Sequence, residues 1–218
     1  MDRANKNDQQ QQVAVGIKYQ NNFARHILGI NLHLQSAIMQ SLTQYHGHTQ
    51  LRISFEAYLS LASQGGIRLS DIARTLGISR QAASQNANKI VAAGYLRRIN
   101  DPVDKRAKPL VTTSRAKELI AQGVEEANKQ QKILEGIAGK RRVQNCTNTV
   151  AKLTEALGLL TTYAPVNQKN QLLAAVLPRL TDYINDRLQT LTMDKGHPSL
   201  KRSFGSVLTS IGPGGGRI

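Results

Sequence analysis

The residues best equipped for chemistry lie between Ser79 and Leu110. The stretch "SRQAASQNANK" (79–89) sets Ser79, Arg80, Gln81, Ser84, Gln85, Asn88 and Lys89 around small and apolar side chains. Such groups read base edges: arginine pairs with guanine, glutamine or asparagine with adenine, and serine with either. No Asp or Glu occurs from Ser79 through Asn100, so no carboxylate there would repel a phosphate backbone. The segment "RRINDPVDKRAKPL" (97–110) then gathers Arg97, Arg98, Lys105, Arg106 and Lys108 around Asp101 and Asp104. A solvated turn needs neither feature. In a loop that enters a phosphate-lined groove, the cations meet the target and the acids shape the loop. Asp101 with Pro102 supplies turn chemistry, and Asp104 orients the Arg106 guanidinium through a charge-assisted hydrogen bond.

The charge balance of the whole chain agrees. Its 218 residues carry 29 Lys+Arg against 14 Asp+Glu, a net of +15, which favours a polyanionic partner. Residues 51–117 hold 12 basic and 4 acidic side chains, more than half of the surplus. A polyanion is expected there. The single cysteine, Cys146, excludes an internal disulfide framework and suits a reducing cytoplasm. No run approaches the ~20 apolar residues that cross a bilayer. The polar, Gln-rich start lacks the apolar core of a signal peptide. The expected location is cytoplasmic.

The elements that must position these residues follow from periodicity. Helical spacing is expected from Val13 to about Gln44, where apolar residues cover more than one face. Ser54 is expected to cap a helix bearing Phe55, Tyr58, Leu59 and Ala62 on one side and ending at Gly65-Gly66. Ser70 is expected to cap the next helix, with Ile72, Ala73 and Leu76 inward and Gly77 closing it. The helix from Ser79 to Gly94 turns Ala83, Ala87, Ile90 and Val91 inward. Two short helices joined by a tight glycine turn form a helix-turn-helix. "YLRRI" and "PLVTT" read as strands of a hairpin, which makes it winged. Three further helices are expected, to about Ala138, from about Arg141 to Tyr163, and from about Gln168 to Met193, with Pro178 kinking or splitting the last.

Beside a helix in the major groove, the hairpin tip lies over the adjacent minor groove, where negative potential attracts arginine. Arg106 is the residue expected to insert. Lys105, Lys108, Arg97 and Arg98 flank it on phosphates, and Ser70 and Ser79 offer helix starts to the backbone.

Residues 51–120 resemble the MarR family of bacterial transcriptional regulators. The resemblance is carried by "LSDIARTLGISRQ", by "GYLRR" and by the wing "DPVDKRAK" ending near a threonine. It implies a homodimer on a pseudo-palindromic double-stranded site, an Arg106 in the minor groove oriented by Asp104, and a small effector, often aromatic, bound between the dimerisation and DNA-binding parts. The fold class expected is mainly α with a small β-hairpin wing. The implied division is a disordered leader (1–12), an N-terminal dimerisation helix (13–50), the winged helix (51–113), C-terminal dimerisation helices (114–163), and an additional helix with a flexible tail (164–218). Three departures stand out. Asn86 occupies a usually apolar position of the recognition helix, Ala116 replaces a common glycine, and the chain runs about fifty residues beyond the usual end.

Other candidates carry less. Cys146 reads as a small packed side chain, and His46 and His48 as exposed or loosely packed, without the third ligand of a metal site. No catalytic grouping and no cofactor motif occurs at a telling spacing. The expected function is a sequence-specific DNA-binding transcriptional regulator, a homodimeric repressor relieved by a small ligand. The alternative is an architectural or plasmid-maintenance protein using the same winged helix without ligand control.

Overall fold

A computed structural model describes residues 22–63, 65–100, 107–159 and 171–196. The described residues form α1 (Phe23–Gln44), α2 (Phe55–Ala62), α3 (Leu69–Thr75), α4 (Arg80–Ala92), β1 (Leu96–Arg98), β2 (Leu110–Thr112), α5 (Ser114–Ala138), α6 (Lys140–Ala156) and α7 (Leu173–Asp194). The expected class, mainly helical with a small β-hairpin wing, is the one observed.

The first core joins α2, α3, α4 and the hairpin. Phe55, Tyr58, Leu59 and Ala62 are all buried, as the spacing on α2 anticipates, and they meet Ile72, Ala87, Ile90, Tyr95, Leu96 and Leu110. The strands pair antiparallel, Leu96 opposite Thr112 and Arg98 opposite Leu110. A bridge from Ile67 to Leu110 ties the stretch between α2 and α3 to the outer side of β2. Gly66 makes that approach possible. Its φ is +100°, and a Cβ there would come 2.9 Å from Val111 Cγ1.

The second core is a bundle of α1, α5, α6 and α7. On α7, Leu173, Val176, Leu177 and Leu180 recur at helical spacing and are buried against Ile27, Leu34 and Val150. Burial of such side chains contributes on the order of 1.5–3 kcal/mol each. Pro178 neither splits nor ends α7, which is helical from Leu173 to Asp194. It lies in the second turn, so it removes only one intrahelical bond, to the Ala174 carbonyl. The second helix of this region is shorter than expected. It stops at Ala156, with Gly158 at φ +66° two residues on.

Several expectations need correction. Ser54 makes no side-chain capping bond to α2, and its backbone is already helical. α3 is preceded by Arg68 in extended conformation, so Ser70 lies in the first turn and caps nothing. Cys146 is exposed, because α6 turns Val143, Thr147, Val150 and Thr154 inward instead. His48 is buried, bonded through Nδ1 to the Tyr95 hydroxyl at 3.1 Å and through Nε2 to Gln122 at 2.7 Å. His46 meets Glu126 at 3.0 Å. The polar tip of each ring finds partners on other elements, which one helix's periodicity cannot reveal.

Candidate nucleic-acid interface

The recognition helix is built locally and aimed by its neighbours. α3 ends at Thr75, and Gly77 reverses the chain at φ +62°, a conformation that costs glycine nothing. The amide of Ile78 returns to the Ala73 carbonyl. Ser79 then caps α4 as expected: its Oγ accepts the Ala82 N–H at 3.1 Å. Ala83, Ala87 and Ile90 are fully buried, and their small size lets α4 sit close to α3.

The opposite face is open. Arg80, Gln81, Gln85, Asn88 and Lys89 are exposed, together with the capping Ser79, while Ser84 is half-buried at the edge. Asn86 is half-buried as well. It hydrogen-bonds the Tyr58 hydroxyl, which also reaches the Ala83 carbonyl at 3.4 Å. The departure at Asn86 thus has a partner on α2. Burial raises the Tyr58 pKa above its ordinary value, and the Asn86 hydrogen bond opposes that shift.

The base of the wing is tied to this face. Arg98 Nη2 donates to Asn88 Oδ1 at 2.7 Å, joining β1 to α4. Arg97 and Lys108 are exposed, and Lys108 donates to the Asn100 side chain across the hairpin. The structure therefore brings Arg98, Asn88 and Lys89 onto one surface with Arg80, Gln81 and Gln85. Ser70 is half-buried on α3. The tip residues Asp104, Lys105 and Arg106, with Asp101 and Pro102, lie outside the described residues.

Some residues that set this geometry carry no sequence signal. Thr113 Oγ1 donates to the Gly94 carbonyl at 2.7 Å and accepts the Ala116 N–H at 3.2 Å, so one hydroxyl closes the hairpin and caps α5. Tyr95 is buried, with the Arg115 guanidinium 5.0 Å from its ring centre. Thr113 reads as an N-cap once the start of α5 is known. The contacts of Tyr95 are legible only in three dimensions. Among the described residues no group of His, Cys, Asp and Glu could hold a metal ion. None of the described helices is long and apolar enough to cross a membrane.

Two helices at a glycine turn, a paired wing base and an outward polar face define a winged helix-turn-helix. Residues 59–107 match the sequence profile of the MarR family, to which this part of the chain is similar. No curated protein matches the chain. Among solved structures, the chain is similar to RV1404 from Mycobacterium tuberculosis at 23% identity and a TM-score of 0.50, over 62% of this chain and 90% of that one. It is also similar to MarR at 17% identity and a TM-score of 0.50, over 64% of this chain and all of that one. The transcriptional repressor CouR, bound to a 23-mer DNA duplex, aligns at 17% identity and a TM-score of 0.49, over 63% of this chain and 95% of that one.

Proposed function

We propose that the protein is a sequence-specific, double-stranded-DNA-binding transcriptional regulator of MarR type, acting in the cytoplasm as a homodimeric repressor relieved by a small ligand. The observation that carries this reading is the exposed face of α4. Arg80, Gln81, Gln85, Asn88 and Lys89 stand outward on a helix whose other side is fully packed, with no acid from Ser79 through Asn100. Arg80, Gln81, Ser84, Gln85, Asn88 and Lys89 meet base edges or adjacent phosphates in the major groove. Ser70, Ser79, Arg97, Arg98, Lys105 and Lys108 hold the backbone. Arg106, steered by Asp104, enters the minor groove.

Dimerisation draws support from the apolar side chains left outside the bundle. Phe23 and Ile30 on α1, Ile133 and Ile137 on α5, Leu153 on α6 and Leu157 just past its end are exposed in the single chain. A second copy laid across these helices would cover them. The division into terminal dimerisation helices, a central winged helix and an added C-terminal helix belongs to the same reading.

Selection of bound sequences from random duplex DNA tests it, repeated with Arg80→Ala and Arg106→Ala. The first change blurs preference at one position by about 1–3 kcal/mol, and the second weakens binding to nearly all sequences. Equal affinity for unrelated duplexes at moderate salt overturns the reading. The net charge of +15 favours a second one, an architectural or plasmid-maintenance protein without ligand control. Long continuous protection in footprinting, in place of one short operator, would select it.

A further inference from the structure

Two histidines join the bundle to the winged helix. The chain passes from α1 to α2 through residues 45–54, which form neither helix nor strand. Gln122 and Glu126 lie one turn apart on α5, and each meets one histidine of that loop. His46 Nε2 lies 3.0 Å from the Glu126 carboxylate, and His48 Nε2 lies 2.7 Å from Gln122 Oε1. The His48 amide also donates to the Leu42 carbonyl, at 3.0 Å. Among the described residues Gln50 is the one non-glycine at positive φ, +60°, where a Cβ crowds the backbone. The loop keeps that angle two residues from its anchored His48.

The contacts continue to the end of the recognition helix. Gln122 Oε1 can only accept, so His48 Nε2 carries the hydrogen and Nδ1 keeps its lone pair. That lone pair, 3.1 Å from the Tyr95 hydroxyl, accepts its O–H. The Thr49 carbonyl, 3.4 Å away, is the hydroxyl's second acceptor. Tyr95 follows α4 and immediately precedes β1. Its amide donates to the Ile90 carbonyl of α4, and its own carbonyl accepts from the Thr113 amide at the start of α5. Tyr95 is therefore held to α5 twice, by its carbonyl at Thr113 and, through His48, by its hydroxyl at Gln122. Those anchors lie about 13 Å apart along the helix, so together they resist a swing that either alone permits. His48 and Tyr95 are 4% and 0% exposed, so water cannot replace either partner without opening the site.

The leverage is large. α4 has 13 residues and so is about 20 Å long, with Arg80 at the end far from Tyr95. A swing of about 10° about Tyr95 moves Arg80 by about 3.4 Å, the rise of one base pair. The separation of the two recognition helices in a dimer depends on this angle, and half-site spacing follows from it.

We propose that His48 and Tyr95 are positioning residues: with Gln122 and the His46–Glu126 pair they clasp the winged helix to α5 and fix the half-site spacing that a dimer accepts. The spacing rests on the regulator reading above; the clasp itself does not.

Two measurements on the full chain test it. The first needs neither DNA nor a dimer. Spin labels at Gln81→Cys on α4 and Lys140→Cys on α6, in a Cys146→Ser background diluted with unlabelled chain, report the distance between winged helix and bundle. The parent should give one narrow distribution, and Tyr95→Phe and His48→Leu should each at least double its width. Gln122→Leu, at the half-buried rim, should do the same and guards against unfolding in the others. In the second, duplexes carry two selected half-sites at spacings that differ by single base pairs. The parent should favour one spacing tenfold or more over those two base pairs away, and the variants should cut that ratio to threefold or less. Preference within each half-site should stay that of the parent. General destabilisation would lower every affinity alike and leave the spacing ratio intact. Unchanged widths in the folded variants overturn the clasp, and a spacing ratio that survives them overturns its role in reading DNA. A parent that selects no duplex defeats the regulator reading and the spacing with it, while the label distances still decide the clasp.

Discussion

Asn31 of α1 donates its side-chain amide to Thr181 Oγ1 of α7 at 3.0 Å, joining buried residues 150 positions apart. The Thr181 hydroxyl donates to the Pro178 carbonyl at 2.8 Å, so towards Asn31 it can only accept. Asn31 Oδ1 is buried without a hydrogen-bond partner, so the amide already depends on this one contact. Thr181→Val should strand the N–H and cost about 1–3 kcal/mol in urea unfolding. Adding Asn31→Leu should return most of that loss, because both polar partners are then gone. A double variant no more stable than the single one would show that the contact contributes nothing.

Arg98 and Asn88 connect the wing base to the recognition helix. Arg98→Ala should lower duplex affinity across sequences and make log affinity less steep in log salt by about one unit. Arg98→Lys should recover the salt slope, since it restores the charge. It should recover less of the sequence preference, because the planar fork that holds Asn88 is lost. Affinities measured at several salt concentrations separate the two.

Glu126 predicts an acid limb of stability. Its carboxylate accepts from Lys129 at 2.8 Å, lies 3.0 Å from His46 Nε2 and is also hydrogen-bonded to Ser41. Those bonds hold its pKa down at about 2, against an ordinary 4.5, and burial opposes them only in part. The folded value lies below the unfolded one, so the stabilisation is full above about pH 4.5 and is lost as pH falls towards 2. With Lys129 half exposed, solvent screening keeps the gain small. Glu126→Gln should flatten the stability profile between pH 4.5 and 2 and lower the neutral plateau. A profile parallel to the parent's would refute this assignment.

Gly66 should tolerate no side chain. Gly66→Ala places a Cβ 2.9 Å from Val111 Cγ1 at a φ of +100°, so it should cost about 1–3 kcal/mol through strain and displaced packing. The bridge from Ile67 to Leu110 lies beside it, so amide exchange at Ile67 and Leu110 should quicken more than exchange in α7. Uniform quickening would mean global destabilisation only.

The helix-turn-helix was readable because its determinants are local. Ser79 caps α4, and Ala83, Ala87 and Ile90 repeat at one helical face within a dozen residues. Tyr95-Leu96 and Leu110 are apolar residues at the starts of the two strand segments, and all three are buried. Capping at Ser54 and Ser70 misled because a serine before an apolar run is necessary to the pattern but does not set the backbone angle that lets it cap. Asp104, Lys105 and Arg106 are readable only as a motif, since they fall outside the described residues.

By itself the sequence determined the secondary elements, the charge surplus in the middle third and the outward set Arg80, Gln81, Gln85, Asn88 and Lys89. Each depends on periodicity or charge within one contiguous stretch. Only the tertiary structure decided that α7 packs on α1 and α6, that His48 is buried against Tyr95 and Gln122, and that four helices leave a cavity between them. An apolar stripe such as Leu173, Val176, Leu177 and Leu180 states that it must be buried, but many grooves would satisfy it. Which groove it takes is settled by shape and by single polar contacts such as Asn31 to Thr181, and those depend on residues far away in the chain.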